Sequence, residues 1–305
     1  MKKLLVLAFI GFIAQLIDGS LGMAYGVSSS TLLLAFGIAP AVASASVHIS
    51  EVVTTAASGI SHIKFGNVDR KMVFRLTIPG SIGAFIGACF LSNLPGALVK
   101  PYVSTFLLIL GVYIILRFLF LFKPAEDKES PPLPYKQSIP LGLIAGFADA
   151  TGGGGWGPIT TPILLSKKGM TARKVIGTVD TTEFAVAVSA SLGFIISLGW
   201  DTVNWIWVCA LMLGGVFAAP IAAWLVKAMP AQMMGVFVGG FIILVNARTL
   251  LSAWLPNSSE YYSLIYGIIL FLWGTALIFS AKKLINGNKN NLVKGSSIQS
   301  DKRAI

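Results

Sequence analysis

Residues 148–162 read ADATGGGGWGPITTP, and an apolar run flanks them on each side. A glycine in a helix interior costs roughly 1 kcal/mol relative to alanine. Four in succession, Gly152, Gly153, Gly154 and Gly155, therefore end a helix that reaches them. The surrounding chain is that of a membrane protein. At membrane depth, backbone that leaves helical geometry survives only where protein buries it or water reaches it. The break therefore marks the inside of a helical bundle.

Of 305 residues, 55% are hydrophobic and 11% charged, and the mean hydropathy is +0.80. A soluble domain of that size cannot hide so much apolar surface. The runs are long and continuous, unlike the short alternating strands of an outer-membrane barrel. The expectation is an all-α polytopic membrane protein in the inner (plasma) membrane. The net charge of +11 comes mostly from basic residues clustered at short loops and in the tail. Lys64, Arg70, Lys71 and Arg75 form one group, and Lys167, Lys168, Arg173 and Lys174 a second. Lys282, Lys283, Lys289, Lys294, Lys302 and Arg303 form a third, at the C-terminus. That distribution marks a cytoplasmic side, C-terminus included, and argues against a nucleic-acid partner. Cys89 and Cys209 lie in apolar spans and read as small buried hydrophobes. Two histidines without CxxC, HExxH or a P-loop suggest no metal centre, no cofactor and no ATP drive. The start, MKKLLVLAFIGFIAQL, resembles a secretory leader, yet the repeat described next requires it in the folded chain.

Ala14–Gly26, AQLIDGSLGMAYG, aligns with Ala145–Gly157, AGFADATGGGGWG. Asp18 meets Asp149, Ser20 meets Thr151, Gly22 meets Gly153, Tyr25 meets Trp156 and Gly26 meets Gly157. After one inserted residue Gly37 meets Gly169, Val47 meets Val179, His48 meets Asp180 and Glu51 meets Glu183, and later Arg117 meets Arg248. A near-constant offset of 131–132 residues indicates a duplication. Each copy opens with two apolar pieces about a glycine-rich break, 4–17 and 24–36, then 138–148 and 158–166. These are shorter than the ~20 residues of a full span. Three full-length runs follow in each copy, 40–62, 70–91 and 98–122, then 172–198, 201–228 and 231–255, with an extra span at 260–281. The chain so divides into a first repeat (1–122), a linker (123–137), a second repeat (138–255), an extra helix (256–284) and a basic tail (285–305). If each short pair is a hairpin, each copy crosses the membrane an odd number of times and the copies are inverted. The basic loops then share one side, as the charge rule requires. A single broken span in each copy would put KKGMTARK outside.

A glycine-rich break leaves helix-end N–H groups unpaired, and a helix N-terminus carries about half a positive charge. An anion can be held there without a lysine in lipid. Inverted repeats with interrupted helices near the midplane are the pattern of secondary transporters. The alternative is close helix packing through glycine. DGSLGMAYG (18–26) and DATGGGGWGPITTP (149–162), each opening one half, resemble the sulfite exporter TauE/SafE family, also called the toluene sulfonate uptake permeases. SASVHISEVVTTAASGISHIKFGNVD (44–69) is also similar to that family, and the likeness covers roughly residues 5–255. In the second half GTVDTTE replaces SVHISE, and nothing there resembles SHIKFGNVD. The resemblance implies an inner-membrane carrier of sulfite, sulfonates or related small organic anions. A passive anion channel on the same scaffold and a membrane assembly protein are the alternatives.

On that reading the substrate site is built from Gly19, Ser20, Gly22, Tyr25, Ser28 and Ser29 in the first copy. The second copy supplies Gly152, Gly153, Gly154, Gly155, Trp156, Thr160 and Thr161. Hydroxyls, including Ser30, either donate to the anion or satisfy backbone carbonyls. Tyr25 and Trp156 either wall the site or pack between helices. Ser44, His48, Glu51, Thr55, Ser58 and His62 fall on one helical face, which must look toward protein or water. A carboxylate in lipid costs about 2.5–3.5 kcal/mol on the lenient scale. Glu51, Glu183, Asp180 and His48 are therefore either proton-coupling groups or structural ones. Asp18 and Asp149 either cap the helices after the breaks or contact a coupling cation. His62 and Lys64 read as interface residues or a vestibule, and Arg117 and Arg248 as snorkelling side chains or anion attractors. His48 with Glu51 is the nearest approach to a nucleophile–base set, and no motif accompanies it, so an enzyme is not expected. The partners implied are a small anion, the bilayer, and a coupling proton or cation.

Overall fold

Helix boundaries follow the punctuation of the sequence. The computed structural model describes residues 2–21, 23–121, 133–166, 172–225, 231–255 and 260–301. The first copy contains α1 (Lys2–Leu21), α2 (Tyr25–Ala35), α3 (Pro40–Lys64), α4 (Arg70–Ser92) and α5 (Gly96–Leu116). The second contains α6 (Tyr135–Gly152), α7 (Trp156–Ser166), α8 (Ala172–Leu198), α9 (Trp205–Leu225) and α10 (Ala231–Trp254), and α11 (Glu260–Asp301) follows. Pro40 occupies the first turn of α3, where its missing N–H costs no hydrogen bond. Asp69 caps α4 by accepting from Lys71 N (3.0 Å) and Met72 N (3.1 Å). Gly153 closes α6 in the left-handed region, its N–H on Asp149 O at 2.8 Å.

Two of the four short pieces are longer than expected. α1 has 20 residues and α6 has 18, because helical geometry persists through Asp18-Gly19 and through Asp149–Gly152 before each break. α2 and α7 have 11 residues each, about 16 Å of helix, too short to span. α6 also starts at Tyr135, inside the segment expected as linker. Residues 123–132 of that linker and Lys167, Lys168 and Gly169 lie outside the described residues.

Among the described residues six helices are long and apolar enough to cross a membrane: Arg70–Ser92, Gly96–Phe120, Arg173–Leu198, Trp205–Ala222, Gly235–Trp254 and Tyr261–Leu284. α3 has 25 residues but misses that criterion, since its polar stripe lowers its hydropathy while facing inward. The protein is an all-α polytopic membrane protein.

Packing follows the duplication. The first helix of each copy lies along the fourth helix of the other: α1 on α9, α6 on α4. α3 packs on α8 and α5 on α10, while α11 lies against α10 and reaches the Arg117–Leu121 turn, where Lys283 Nζ donates to Leu119 O (2.8 Å). Glycines permit the close approaches. A Cβ on Gly214 would sit 1.8 Å from Ala8 O, and one on Gly146 2.1 Å from Gly80 O, the small-residue contact typical of membrane helices. In the central pair His48 faces Phe194, Gly59 faces Thr181 and His62 faces Asp180, so α3 and α8 run antiparallel. Asp69 N donates to Thr178 Oγ1 (2.9 Å), which brings the basic residues flanking the α3–α4 loop and those opening α8 to one end of the molecule. Cys209 departs from expectation: it is exposed on the outer face of α9, and Cys89 is half-buried. An apolar side chain facing lipid satisfies hydropathy as well as a buried one does.

Candidate functional site

Each break is closed by the aspartate that precedes it. Asp18 Oδ1 accepts from Tyr25 N (3.3 Å), the first amide of α2. Asp149 Oδ1 accepts from Gly155 N (2.7 Å) and Trp156 N (3.0 Å), the opening amides of α7. A carboxylate at a helix N-terminus gains from the free donors and the dipole. In this conformation the amides expected to hold a solute anion hold a carboxylate of the chain itself. The aromatic residues after the breaks also correspond. Tyr25 OH lies 2.9 Å from Ser50 Oγ on α3, and Trp156 Nε1 donates to Thr182 Oγ1 (3.1 Å) on α8. Ser50 and Thr182 are related by the repeat offset. Both aromatics are fully buried, so they fasten each short helix to its copy's third helix.

The two breaks touch. A Cβ on Gly154 would lie 2.2 Å from Val27 N, and one on Gly26 2.7 Å from Gly154 Cα. Ser30 Oγ donates to Gly153 O, and Ser44 Oγ to Ala150 O (2.7 Å). Gly153 (φ +70°) and Gly154 (φ +148°) need conformations that other residues avoid. On the first-copy side Ala24 takes φ +102°, a strained value for a residue with a side chain.

Around this junction lie two buried groups of titratable side chains. In the first, His48 Nε2 is 3.1 Å from Asp149 Oδ2 and 3.9 Å from Glu51 Oε2. His48 Nδ1 faces Ser44 O at 2.8 Å. A carbonyl accepts only, so Nδ1 carries the hydrogen; a proton must then lie between Nε2 and the carboxyl of Asp149. In the second group Asp18, Asp180 and Glu183 each bring a carboxylate oxygen within 4.8 Å of the other two, and His62 Nε2 is 3.8 Å from Asp180 Oδ2. Two like charges 4.8 Å apart repel by about 3.5 kcal/mol at an effective dielectric near 20. Such a group persists only with bound protons or compensating positive charge.

The remaining expected residues divide. Ser28 and Ser29 are buried with hydroxyls that have no hydrogen-bond partner. Thr160 Oγ1 is taken by Trp156 O (2.6 Å), and Thr161 is buried on the same short helix. Gly19 packs on Ala222, and Gly152 on the Phe106 ring. Gly22 and the side chain of Ser20 lie outside the described residues. Two readings are corrected. His62 is fully buried against Asp180, not at an interface, because α8 covers that end of α3's stripe. Arg117 does not snorkel: it is 4% exposed, its Nη1 donates to Met23 Sδ at 3.4 Å beside the first break, and its guanidinium lies 5.4 Å from the Phe118 ring. The π-helical turn Arg117–Leu121 directs it inward. Among the described residues no carboxylate pairs with it. Arg248 is exposed. Sequence reasoning missed Gln15, fully buried one turn before Asp18 with both amide atoms unpartnered. Its three-residue spacing from Asp18 is the signal that could have found it.

The family described as Sulfite exporter TauE/SafE matches residues 7–249, both breaks and both buried groups included. The chain belongs to that family. This TauE/SafE protein is 68% identical over 290 residues, 95% of the chain and 96% of the relative, to a Bacillus subtilis (strain 168) protein named "Probable membrane transporter protein YtnM". It is 24% identical over 235 residues, 77% of the chain and 93% of the relative, to "Probable membrane transporter protein YdhB" of the same organism. No solved structure matches it. As a TauE/SafE member with six candidate spans, it is a multi-pass membrane transporter.

Proposed function

We propose that this chain is a secondary carrier of a small anion, of the sulfite, sulfonate or related organosulfur class, and that protons move with it through His48, Asp149 and Glu51. The two copies are inverted in the membrane, with the short α2 and α7 re-entering from opposite faces. The basic loops and the C-terminus lie in the cytoplasm. The single observation that carries this reading is the contact between the two breaks, Gly26 against Gly154, beside a buried acid–histidine group. The antiparallel packing of α3 and α8 supports the inversion.

The acidic centre repels an anion unless protons enter first. Asp149 occupies the amides of Gly155 and Trp156 as a substrate oxyanion would. A substrate oxyanion competes with Asp149 for those amides. Arg117 beside Met23, with the free hydroxyls of Ser28 and Ser29, receives the anion at the first break. Proton loading and anion binding then favour one another.

A thermal-unfolding screen of the purified protein in nanodiscs tests the substrate class. Its ligands are sulfite, sulfate, thiosulfate, taurine, sulfoacetate and short carboxylates, each at acid and neutral pH. A cognate ligand stabilises by mass action. One sulfur-oxyanion class should raise the transition saturably, and more at acid pH. No stabilisation by any sulfur oxyanion at either pH would contradict the reading.

A further inference from the structure

We propose that Asp18, Asp180 and Glu183 bind a sodium ion, so that the two halves of the carrier hold different cations. This rests on the carrier reading above but concerns a different group of residues. The duplication supplies an internal comparison. Asp149, His48 and Glu51 correspond in sequence to Asp18, Asp180 and Glu183. Each set combines the capping aspartate of one copy with two residues from the third helix of the other. The facing residue corresponds as well: Phe194 lies opposite His48, and His62 lies opposite Asp180. The first set has two carboxyls and one histidine, the second three carboxyls and one histidine. With all of them ionised the second is more negative by one charge. One monovalent cation makes the two alike, whereas a divalent ion overshoots.

Neutral oxygens favour a metal ion over a proton. Ser58 is fully buried with its hydroxyl directed at the Asp180 carboxylate. Gln15 is equally buried, and Oε1 and Nε2 are both unpartnered. Both side chains converge on the start of the break: a Cβ on Gly19 would be 3.5 Å from Ser58 Oγ and 3.6 Å from Gln15 Nε2. The Asp18 and Asp180 carboxylates face each other, with the Ser58 hydroxyl beside Asp180. A proton shared by Asp18 and Asp180 leaves the Gln15 amide without a partner, against the rule that buried polar atoms find partners. A dehydrated cation engages them together. Carboxylate oxygens within 4.8 Å of one another are close enough to share one ion of calcium size, which meets oxygen at about 2.3–2.6 Å. Sodium is that size and carries the single charge required. In the corresponding copy Ser58 is replaced by Ala190, which is fully buried and brings no oxygen. The groups facing the site are Asp18 on α1, Glu51, Ser58 and His62 on α3, Asp149 on α6, and Asp180 and Glu183 on α8.

The test is thermal unfolding of the full chain in nanodiscs without substrate. Sodium chloride replaces choline chloride at constant pH and total salt, with potassium and calcium chloride as further arms. Sodium should raise the midpoint saturably, by about 3 °C at ten times the dissociation constant, while potassium and choline do not. Asp180→His installs the imidazole that the corresponding set carries and should abolish the sodium response. Ser58→Ala, a milder change, should weaken sodium affinity several-fold. No sodium-specific shift, an unchanged shift in both variants, a shift that follows pH alone, or a larger shift with calcium would each overturn the proposal. Anion counterflow without any sodium effect would sink this inference and leave the carrier reading standing. A sodium shift without counterflow would do the reverse.

Discussion

Asp149 faces two ways: Oδ1 holds the first amides of α7, and Oδ2 meets His48. Asp149 therefore links a helix N-terminus to an imidazole. If protons enter here, Glu51→Gln should flatten the pH profile of sulfonate uptake more than it changes affinity. Sulfonates keep their charge over that range, so the profile reports the protein. A profile identical to wild type would remove Glu51 from the coupling scheme. Arg117 is the cationic end of the proposed path. A buried hydrogen bond to a charged group contributes about 1.5–3 kcal/mol, so Arg117→Gln should raise the half-saturating anion concentration by about tenfold or more in equilibrium binding. An unchanged value would place the anion elsewhere. The acids and histidines were legible in the sequence because a charge inside an apolar run has few explanations and its helical spacing assigns a face. Arg117 was not legible, since seven residues from a span end permits either direction and the π-helical turn that decides is a tertiary feature.

At the scale of elements, the breaks work as paired contacts as much as turns. Gly154 has both a restricted φ and a neighbouring backbone at its Cβ position, whereas Gly199 has φ +83° and nothing within 4 Å. Gly199→Ala should cost about 1 kcal/mol, from conformation alone. Gly154→Ala should cost clearly more, about 3 kcal/mol or above, because α2 must move away from α7. Equal midpoints for the two variants in thermal unfolding would refute the contact. Composition and glycine punctuation revealed the order of helices. They missed the persistence of α1 and α6 up to the breaks, since an aspartate followed by glycines reads as a stop whether it lies in the last turn or beyond it. The glycines that let α1 meet α9 and α6 meet α4 were visible, GLIAG at 142–146 for example, but their partners were not. Close approach is a property of two surfaces.

For the whole molecule, the exchange of partners between copies turns a weak sequence repeat into one interior. The proposed inversion places the loop after α3 and the corresponding loop after α8 on opposite faces. In a chain carrying Cys89→Ala and Cys209→Ala, a membrane-impermeant thiol reagent should label Phe65→Cys and Asp201→Cys from opposite sides. Labelling of both from one side would exclude inversion. The stacked Trp200 and Trp205 rings, 4.1 Å apart, suit the aqueous border expected for the second loop. The central claim is that the joined breaks carry a small anion across the membrane. Counterflow in proteoliposomes, using labelled sulfite and sulfonates, tests it most directly. The account predicts transient accumulation of label against unlabelled internal anion, strongly reduced by Arg117→Gln. Folded protein that gives no exchange of any sulfur oxyanion, or conductance without counterflow, would contradict it.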